Sequence, residues 1–369
     1  MKLTPAEQQA QRKRAHLAIA EKLYREHPQG NADFQQVRLL HPEFPELSQT
    51  EINLKSTLFG KPVSSPFYIN AMTGGTTAAQ KINQKLAQLA QHFQMPMAVG
   101  SMSILKSTPQ AAASFQVVRQ ENPDGLIFAN LGANHPVDFA QEMIQLLQAD
   151  ALQIHLNAPQ EFAMAEGDQD FHWFNNFQEL QKQIGPVTPL IAKEVGFGMS
   201  SQSIKQLLSL DIAGIDLSGA SSTDFIAIEN ERRSQRLSSD YSDFGLSIVE
   251  SLLNYLSTQQ TAVQADQPTI FASGGIRTPW EAAKAFSLGA NYVGMSAYFL
   301  HLALHHDLPE MIAIFDQWLA EFKGILLMFG CPTPAVLAQT PLILGADLMN
   351  YVQQLDLDWS QYSTNRQHH

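Results

Sequence analysis

The hydrophobic pattern of this chain repeats a single unit. An apolar run comes first, then a loop rich in glycine, proline, serine or asparagine, then a helical stretch with one apolar face. Eight such runs stand out: FYINAMT from Phe67, MAVGSM from Met97, LIFANLG from Leu126, ALQIHL from Ala151, PLIAKEV from Pro189, GIDLS from Gly214, TIFASGG from Thr269 and YVGMS from Tyr292. Most are apolar throughout, the mark of strands covered on both faces. Between them, AAQKINQKLAQLAQHF sets Ile82, Leu86, Leu89 and Phe93 on one side at spacings of three and four, which predicts an amphipathic helix. TPWEAAKAFSLGA carries its own boundaries: Thr278 as N-cap, Pro279 at the first helical position and Gly289 at the close. Strands alternating with helices build a parallel sheet covered by helices, and eight units predict a closed (β/α)8 TIM barrel of the α/β class. An open doubly wound sheet would concentrate its glycines after the first strand. Here they are spread over strands one, two, three, seven and eight.

The flanks divide the chain. Residues 1–65 read as a helical arm and a wrapping segment, 66–330 as the barrel and 331–369 as a C-terminal extension, with the terminal NRQHH as solvated tail. Gly219 to Gly245 is too long for an ordinary connection and carries the charged run IENERRSQR, so a lid, a binding element or a disordered loop is expected there. Of the 369 residues 44% are hydrophobic, ample for such a core. The net charge of −12 disfavours nucleic acid as a partner. The single cysteine, Cys331, suits a reducing cytosol. The polar start lacks the apolar core of a signal peptide, and no apolar run approaches a membrane span. The expected location is therefore cytoplasmic, with no membrane partner.

In a barrel, chemistry gathers at the C-terminal ends of the strands. SGGIRTPWEA places two glycines before a capped helix, and GMSA ends the next strand. Together they suit a phosphate held by backbone N–H groups and a helix N-terminus, or else a tight turn without a ligand. Lys193 is a charge inside an apolar strand, costly to bury unless paired or facing an anion. It either faces an electron-rich ring or phosphate, or forms an ion pair with Glu194 or Asp216. INAMTGG and FANLG add Met72, glycines for close approach to a flat ligand, and the amide of Asn130. IHLNAPQE closes its strand in His155, Asn157, Gln160 and Glu161. This is loop capping, or a polar cluster in which Glu161 offers a hard cation one carboxylate. RKRAHL puts Arg12 or Lys13 and His16 on one helical face, either a solvated face or a diphosphate clamp.

These residues carry a resemblance. RKRAH, AMTGG, Gly100-Ser101, ANLG, HLNAPQE, KEVGFG, DLSG, Thr223, IAIE, ASGGIRT, AAKAFSLGA and GMSA follow one another as they do in the type 2, FMN-dependent isopentenyl diphosphate isomerases, and the resemblance runs from Arg12 to about residue 350. HLNAPQE together with RKRAH is the specific part, and SGGIR with a barrel lysine is shared more widely among FMN barrels. The resemblance implies an FMN-linked, oxidoreductase-like barrel. Its flavin would contact Ala71, Met72, Thr73, Ser101, Asn130, Lys193, Ser218 and Thr223. The flavin phosphate would lie at Gly274, Gly275, Arg277, Ser296 and Ala297. The substrate diphosphate would rest on Arg12, Lys13 and His16, with Mg²⁺ on Glu161. Gln160 would lie near the allylic carbons, supported by His155 and Asn157, and Glu229 in IAIE would sit on the closing loop. The family implies a homotetramer or larger homo-oligomer, and NADPH as the usual flavin reductant. The chain departs from the family at Ala220-Ser221-Ser222, where many relatives have glycines, and at Ser103, where many have an arginine.

The implied reaction interconverts isopentenyl and dimethylallyl diphosphate by 1,3-allylic proton transfer, with reduced FMN as acid–base cofactor, Lys193 tuning its charge and the diphosphate anchored remotely. Two rivals share the barrel. An FMN-dependent 2-hydroxyacid oxidase needs a histidine base close to an arginine, and neither LSGASSTD nor SGGIRT contains histidine. A non-catalytic flavin-binding barrel is kept open by the substituted loop at Ala220–Ser222.

Overall fold

The structure is a computed structural model that describes residues 5–26, 32–164, 167–220, 224–233, 235–259, 267–364 and 366. In the first helix, Pro5–Glu26, side chains are described from residue 15 onward. All eight expected strands form: β1 Phe67–Ile69, β2 Met97–Ala98, β3 Ile127–Gly132, β4 Ala151–Leu156, β5 Leu190–Glu194, β6 Gly214–Asp216, β7 Thr269–Ser273 and β8 Tyr292–Met295. They pair in parallel, and β8 pairs back to β1, so the barrel closes. Several strands are shorter than their apolar runs. The tails NAMT, VGSM and the glycine pair Gly274-Gly275 leave the ladder and build the mouth.

Register decides what meets there. In a parallel ladder, paired residues are neighbours across the strands and their side chains point to the same face. His155 of β4 pairs with Lys193 of β5, and Lys193 with Asp216 of β6. Three chemistry-bearing side chains far apart in sequence thus come side by side across the ladder.

The helices follow their sequence signals. Thr77–Phe93 buries Ile82, Leu86 and Leu89, and its N-cap Thr76 accepts from the Ala79 N–H at 3.1 Å. Pro279–Ser287 begins in a capping box: Thr278 Oγ1 accepts from the Glu281 N–H at 3.2 Å, and Glu281 Oε2 accepts from the Thr278 N–H at 3.0 Å. The far end of the barrel is plugged by the hairpin Ser56–Leu58/Lys61–Val63. Its Leu58, Phe59 and Val63 pack onto Tyr68, Phe128 and Phe271 of the interior. Burial of each such side chain contributes about 1.5–3 kcal/mol, so the plug seals one end and leaves the other for a ligand.

Three features exceed or correct the sequence reading. The long segment after β6 is not all loop: it contains the helix Phe225–Arg232, capped by Asp224 and packed against the arm helix Pro5–Glu26 and the short helix Ala158–Ala163. The wrapping segment and the C-terminal extension join, as Val37–Leu39 pairs antiparallel with Leu342–Leu344. The terminal tail is not simply solvated, because Arg366 is buried and donates to the carbonyls of Thr340 and Ser287 at 3.1 and 2.6 Å. A guanidinium that fills backbone acceptors in the interior behaves as core.

Candidate active site

The strand ends open into a cleft that encloses about 1470 Å³, part of it open to solvent. Its floor is the row set by the β4–β5–β6 register. Lys193 Nζ donates to Asp216 Oδ2 at 3.0 Å, to Ser218 Oγ at 3.3 Å and to the Glu194 carbonyl at 3.0 Å. Of the two partners expected for this lysine, Asp216 holds the charge. The Glu194 carboxylate instead accepts the N–H groups of Gly196, Phe197 and Gly198, cinching the turn after β5. Burial pushes the Glu194 carboxyl up to about 8, against the pull of those N–H groups and of Lys193. Asp216 is wholly buried and lies behind Lys193, which lines the cleft.

Beside this pair an amide relay sets the histidine. Asn130 Oδ1 accepts from His155 Nδ1 at 2.9 Å, and Asn130 Nδ2 donates to Gln153 Oε1 at 3.2 Å. Ala71, Met72, Thr73, Ser101 and Ser218 complete that wall. Ser218 sits at φ 35°, a conformation an L residue rarely adopts and one that collects at functional sites. Thr73 Oγ1 is buried with no hydrogen-bond partner among the described residues.

One end of the cleft is built for an anion. Gly274 and Gly275 have φ of +94° and +78°, and a Cβ on Gly274 would stand 2.1 Å from the Gly219 carbonyl oxygen. Only glycine fits this turn. Arg277 donates through Nη1 to the Tyr24 carbonyl at 2.8 Å and lies 4.0 Å from the Tyr24 ring centroid. Its Nε and Nη2 are buried with no hydrogen-bond partner among the described residues. Burial lowers the guanidinium below its ordinary pKa. The helix contribution differs from expectation. Glu281 already takes the N–H groups of Arg277 and Thr278, so the helix Pro279–Ser287 has little left for a ligand. The next helix, Ala297–His305, starts at Ser296 without a side-chain cap, and Ser296 and Ala297 line the cleft. Its N-terminus is the available dipole.

The other end is held by paired polar side chains. Asn157 Nδ2 donates to Glu161 Oε1 at 2.9 Å and to Gln160 Oε1 at 3.3 Å, and the Asp168 N–H donates to Glu161 Oε2 at 2.8 Å. From the arm helix, His16 reaches the cleft and its Nε2 lies 2.6 Å from Glu229 Oε1. Gln160 Nε2 donates to the same oxygen at 3.4 Å, and Arg232 pairs with Oε2. Burial raises the Glu229 carboxyl, but the bond and charge of His16, the charge of Arg232 and Gln160 outweigh it, and the net position lies below the ordinary range.

No protein-family model matches the chain. The isopentenyl-diphosphate delta-isomerase of Limosilactobacillus reuteri (strain DSM 20016) is 41% identical over 349 residues, which cover 94% of this chain and 98% of that protein. The protein of the same name from Latilactobacillus sakei subsp. sakei (strain 23K) is 39% identical over 349 residues, covering 95% and 97%. That from Staphylococcus aureus (strain N315) is 36% identical over 352 residues, covering 95% and 98%. The chain belongs to the isopentenyl-diphosphate delta-isomerase family. Among solved structures, a flavocytochrome b2 variant with sulfite bound matches at TM-score 0.65 and 16% identity, over 92% of this chain and 84% of its own. A mandelate oxidase variant carrying a monooxide FMN adduct matches at 0.59 and 13%, over 90% and 92%. At such identity these two share the fold.

For this member of the isomerase family, the cleft gathers almost every residue singled out in the sequence. Glu229 stands one step behind, touching the cleft through His16 and Gln160. The side chains of Arg12 and Lys13, and Thr223 with its neighbours Ser221 and Ser222, lie outside the described residues. Motif reading missed Leu17, Ala20 and Tyr24, which bring the arm helix over the mouth. Their spacing of three and four was the available signal. It also missed the role of Ser103, whose Oγ lies 2.8 Å from Ser101 Oγ and 2.7 Å from His135 Nε2. Nothing local in the sequence links residues 103 and 135.

Proposed function

We propose that this chain interconverts isopentenyl and dimethylallyl diphosphate, with reduced FMN across the barrel mouth and Mg²⁺ at Glu161. The observation that carries this reading is Arg277: two buried N–H-bearing nitrogens without a hydrogen-bond partner, beside a glycine cradle and an uncapped helix start, in a chain of this family. A phosphate satisfies such a group, and burial without one costs about 1–3 kcal/mol. The residues fit the flavin along the adjoining wall as well, where Thr73 Oγ1 awaits a partner. They fit the cation through Glu161. Each of its oxygens accepts one hydrogen bond, and a carboxylate has lone pairs for about four.

The reaction adds a proton to the terminal alkene carbon and removes one from a neighbouring carbon, without net redox. When bound and reduced, FMN supplies an electron-rich face and a group able to give and take a proton. The chain's own residues do the rest. Asp216 fixes Lys193 so that its ammonium stays at the cleft floor, nearer the ligand than the carboxylate behind it. Asn130 orients His155 through Nδ1, and Asn157 orients Gln160 and Glu161. Glu229 ties His16 to Gln160, so the arm and the mouth move together. Arg12, Lys13, His16 and the cation anchor the diphosphate, and this remote binding holds the alkene in place. NADPH as reductant, a homotetramer or larger assembly, and a cytosolic location complete the reading.

The test is an anaerobic assay of isopentenyl diphosphate with reduced FMN and Mg²⁺, together with an absorbance spectrum of the purified protein. Bound flavin and conversion are expected. A colourless protein that converts nothing with added FMN refutes the reading. Glu161→Ala is expected to raise the Mg²⁺ requirement and cut turnover by at least about tenfold, by analogy with lost metal contacts. Unchanged activity at limiting Mg²⁺ removes the cation from Glu161. The 2-hydroxyacid oxidase reading has no support beyond the shared fold, because Ser273 to Thr278 brings no histidine next to Arg277.

A further inference from the structure

A second cluster lies outside the cleft, between the arm helix and the helix that follows β8. His301 and His305 stand one turn apart on Ala297–His305, and Glu21 faces them from Pro5–Glu26. We propose that these three side chains bind a divalent transition-metal ion of the zinc class, which staples the arm to the barrel.

The geometry is convergent. His301 Nδ1 and His305 Nε2 each lie 2.9 Å from the same atom, Glu21 Oε1. The other oxygen, Oε2, is buried and has no hydrogen-bond partner among the described residues. Three ligand atoms, one from each side chain, lie within 4.8 Å of one another, the spacing of a metal's ligands. In a tetrahedral site with metal–ligand bonds of about 2.0–2.1 Å, neighbouring ligand atoms stand roughly 3.3 Å apart. Opening each histidine–Glu21 distance from 2.9 Å by a few tenths of an ångström reaches that spacing.

The donor set selects the ion. Two imidazoles and one carboxylate suit zinc, cobalt or nickel, whereas Mg²⁺ prefers oxygen alone. His305 is 44% exposed and His301 30%, so an ion can enter and keep a water in the fourth position. The Tyr24 ring backs His301 at 5.0 Å. None of the three side chains lines the cleft itself, so the proposed role is structural. Leu17, Ala20 and Tyr24 line the cleft on either side of Glu21 in sequence. An ion there fixes the arm's cleft-facing stripe. The site stands whether or not the flavin reading holds.

The purified full-length protein, with its flavin as isolated and Mg²⁺ in excess, is titrated with Co²⁺ by visible difference spectroscopy and with Zn²⁺ by calorimetry. One ion per chain is expected, with the d–d absorption of four-coordinate cobalt. Affinity is expected to fall at least about tenfold in His301→Ala and His305→Ala and to persist in Glu161→Ala. Zn²⁺ is expected to raise the thermal midpoint of the wild type and not of the histidine variants. No binding, binding unchanged in the exposed variant His305→Ala, or binding lost in Glu161→Ala overturns the proposal.

Discussion

Asp216 accepts from four side chains at once: Tyr68 at 2.6 Å, Asn70 at 2.9 Å, Lys193 at 3.0 Å and Ser273 at 2.6 Å. A buried carboxylate survives in an apolar barrel only when its lone pairs are filled in this way. Lys193 stood out in the sequence because a charge interrupts an apolar run. Which acid partners it was not legible, since Glu194 is adjacent and Asp216 lies on the next strand. His135 shows the opposite case. It is a buried histidine whose pKa burial, with help from Lys106, lowers from 6.5 to about 4. The unfolded chain takes up this proton below pH 6.5 and the folded one only near pH 4. Its contribution to stability is therefore full above pH 6.5 and falls as pH drops from 6.5 to about 4. About 1–2 kcal/mol should be lost between pH 7 and pH 5 through this group. Urea midpoints at the two pH values should show a smaller drop in His135→Gln than in the wild type. Equal drops would assign the acid sensitivity elsewhere.

At the scale of elements, the turn after β7 carries the sharpest constraint. Gly274→Ala must place a Cβ against the Gly219 carbonyl in a backbone conformation that L residues rarely adopt. The positive φ alone costs about 1–2 kcal/mol, and the turn must shift to relieve the contact. We expect flavin retention to fall while far-ultraviolet circular dichroism stays native. Retention equal to wild type would show that the cradle tolerates the shift. Helix ends were the most legible elements: Thr278, Pro279 and Glu281 encode the start of their helix within four residues. The helix Phe225–Arg232 was not legible, because its charged run IENER reads as part of a long closing loop. Glu229 is buried there only because His16, Gln160 and Arg232, from three different elements, converge on it.

For the whole molecule, closure is the property that matters. The barrel closes on itself, the hairpin plugs one end, and the arm helix crosses the other beside Arg277 and Glu229. A ligand that binds only this closed arrangement stabilises it by mass action, about 2.7 kcal/mol at a hundred times its dissociation constant. FMN added to flavin-stripped protein should therefore raise the thermal midpoint and slow proteolysis of the arm. A rise in midpoint with no protection of the arm would mean that the flavin site forms without it. Among the described residues no helix is long and apolar enough to cross a membrane.

By itself the sequence determined the repeating unit, hence eight strands and a barrel, and it marked the strand ends where polar residues break apolar runs. Both are local signals, carried by periodicity and by single residues that their surroundings do not suit. Only the tertiary structure decided that Lys193 answers to Asp216, that His16 answers to Glu229, and that Glu21 meets His301 and His305. Each of these pairings depends on strand register or on how one helix lies across another. Neither is encoded in any short window, because contacts between distant segments are set by the packing of the whole chain.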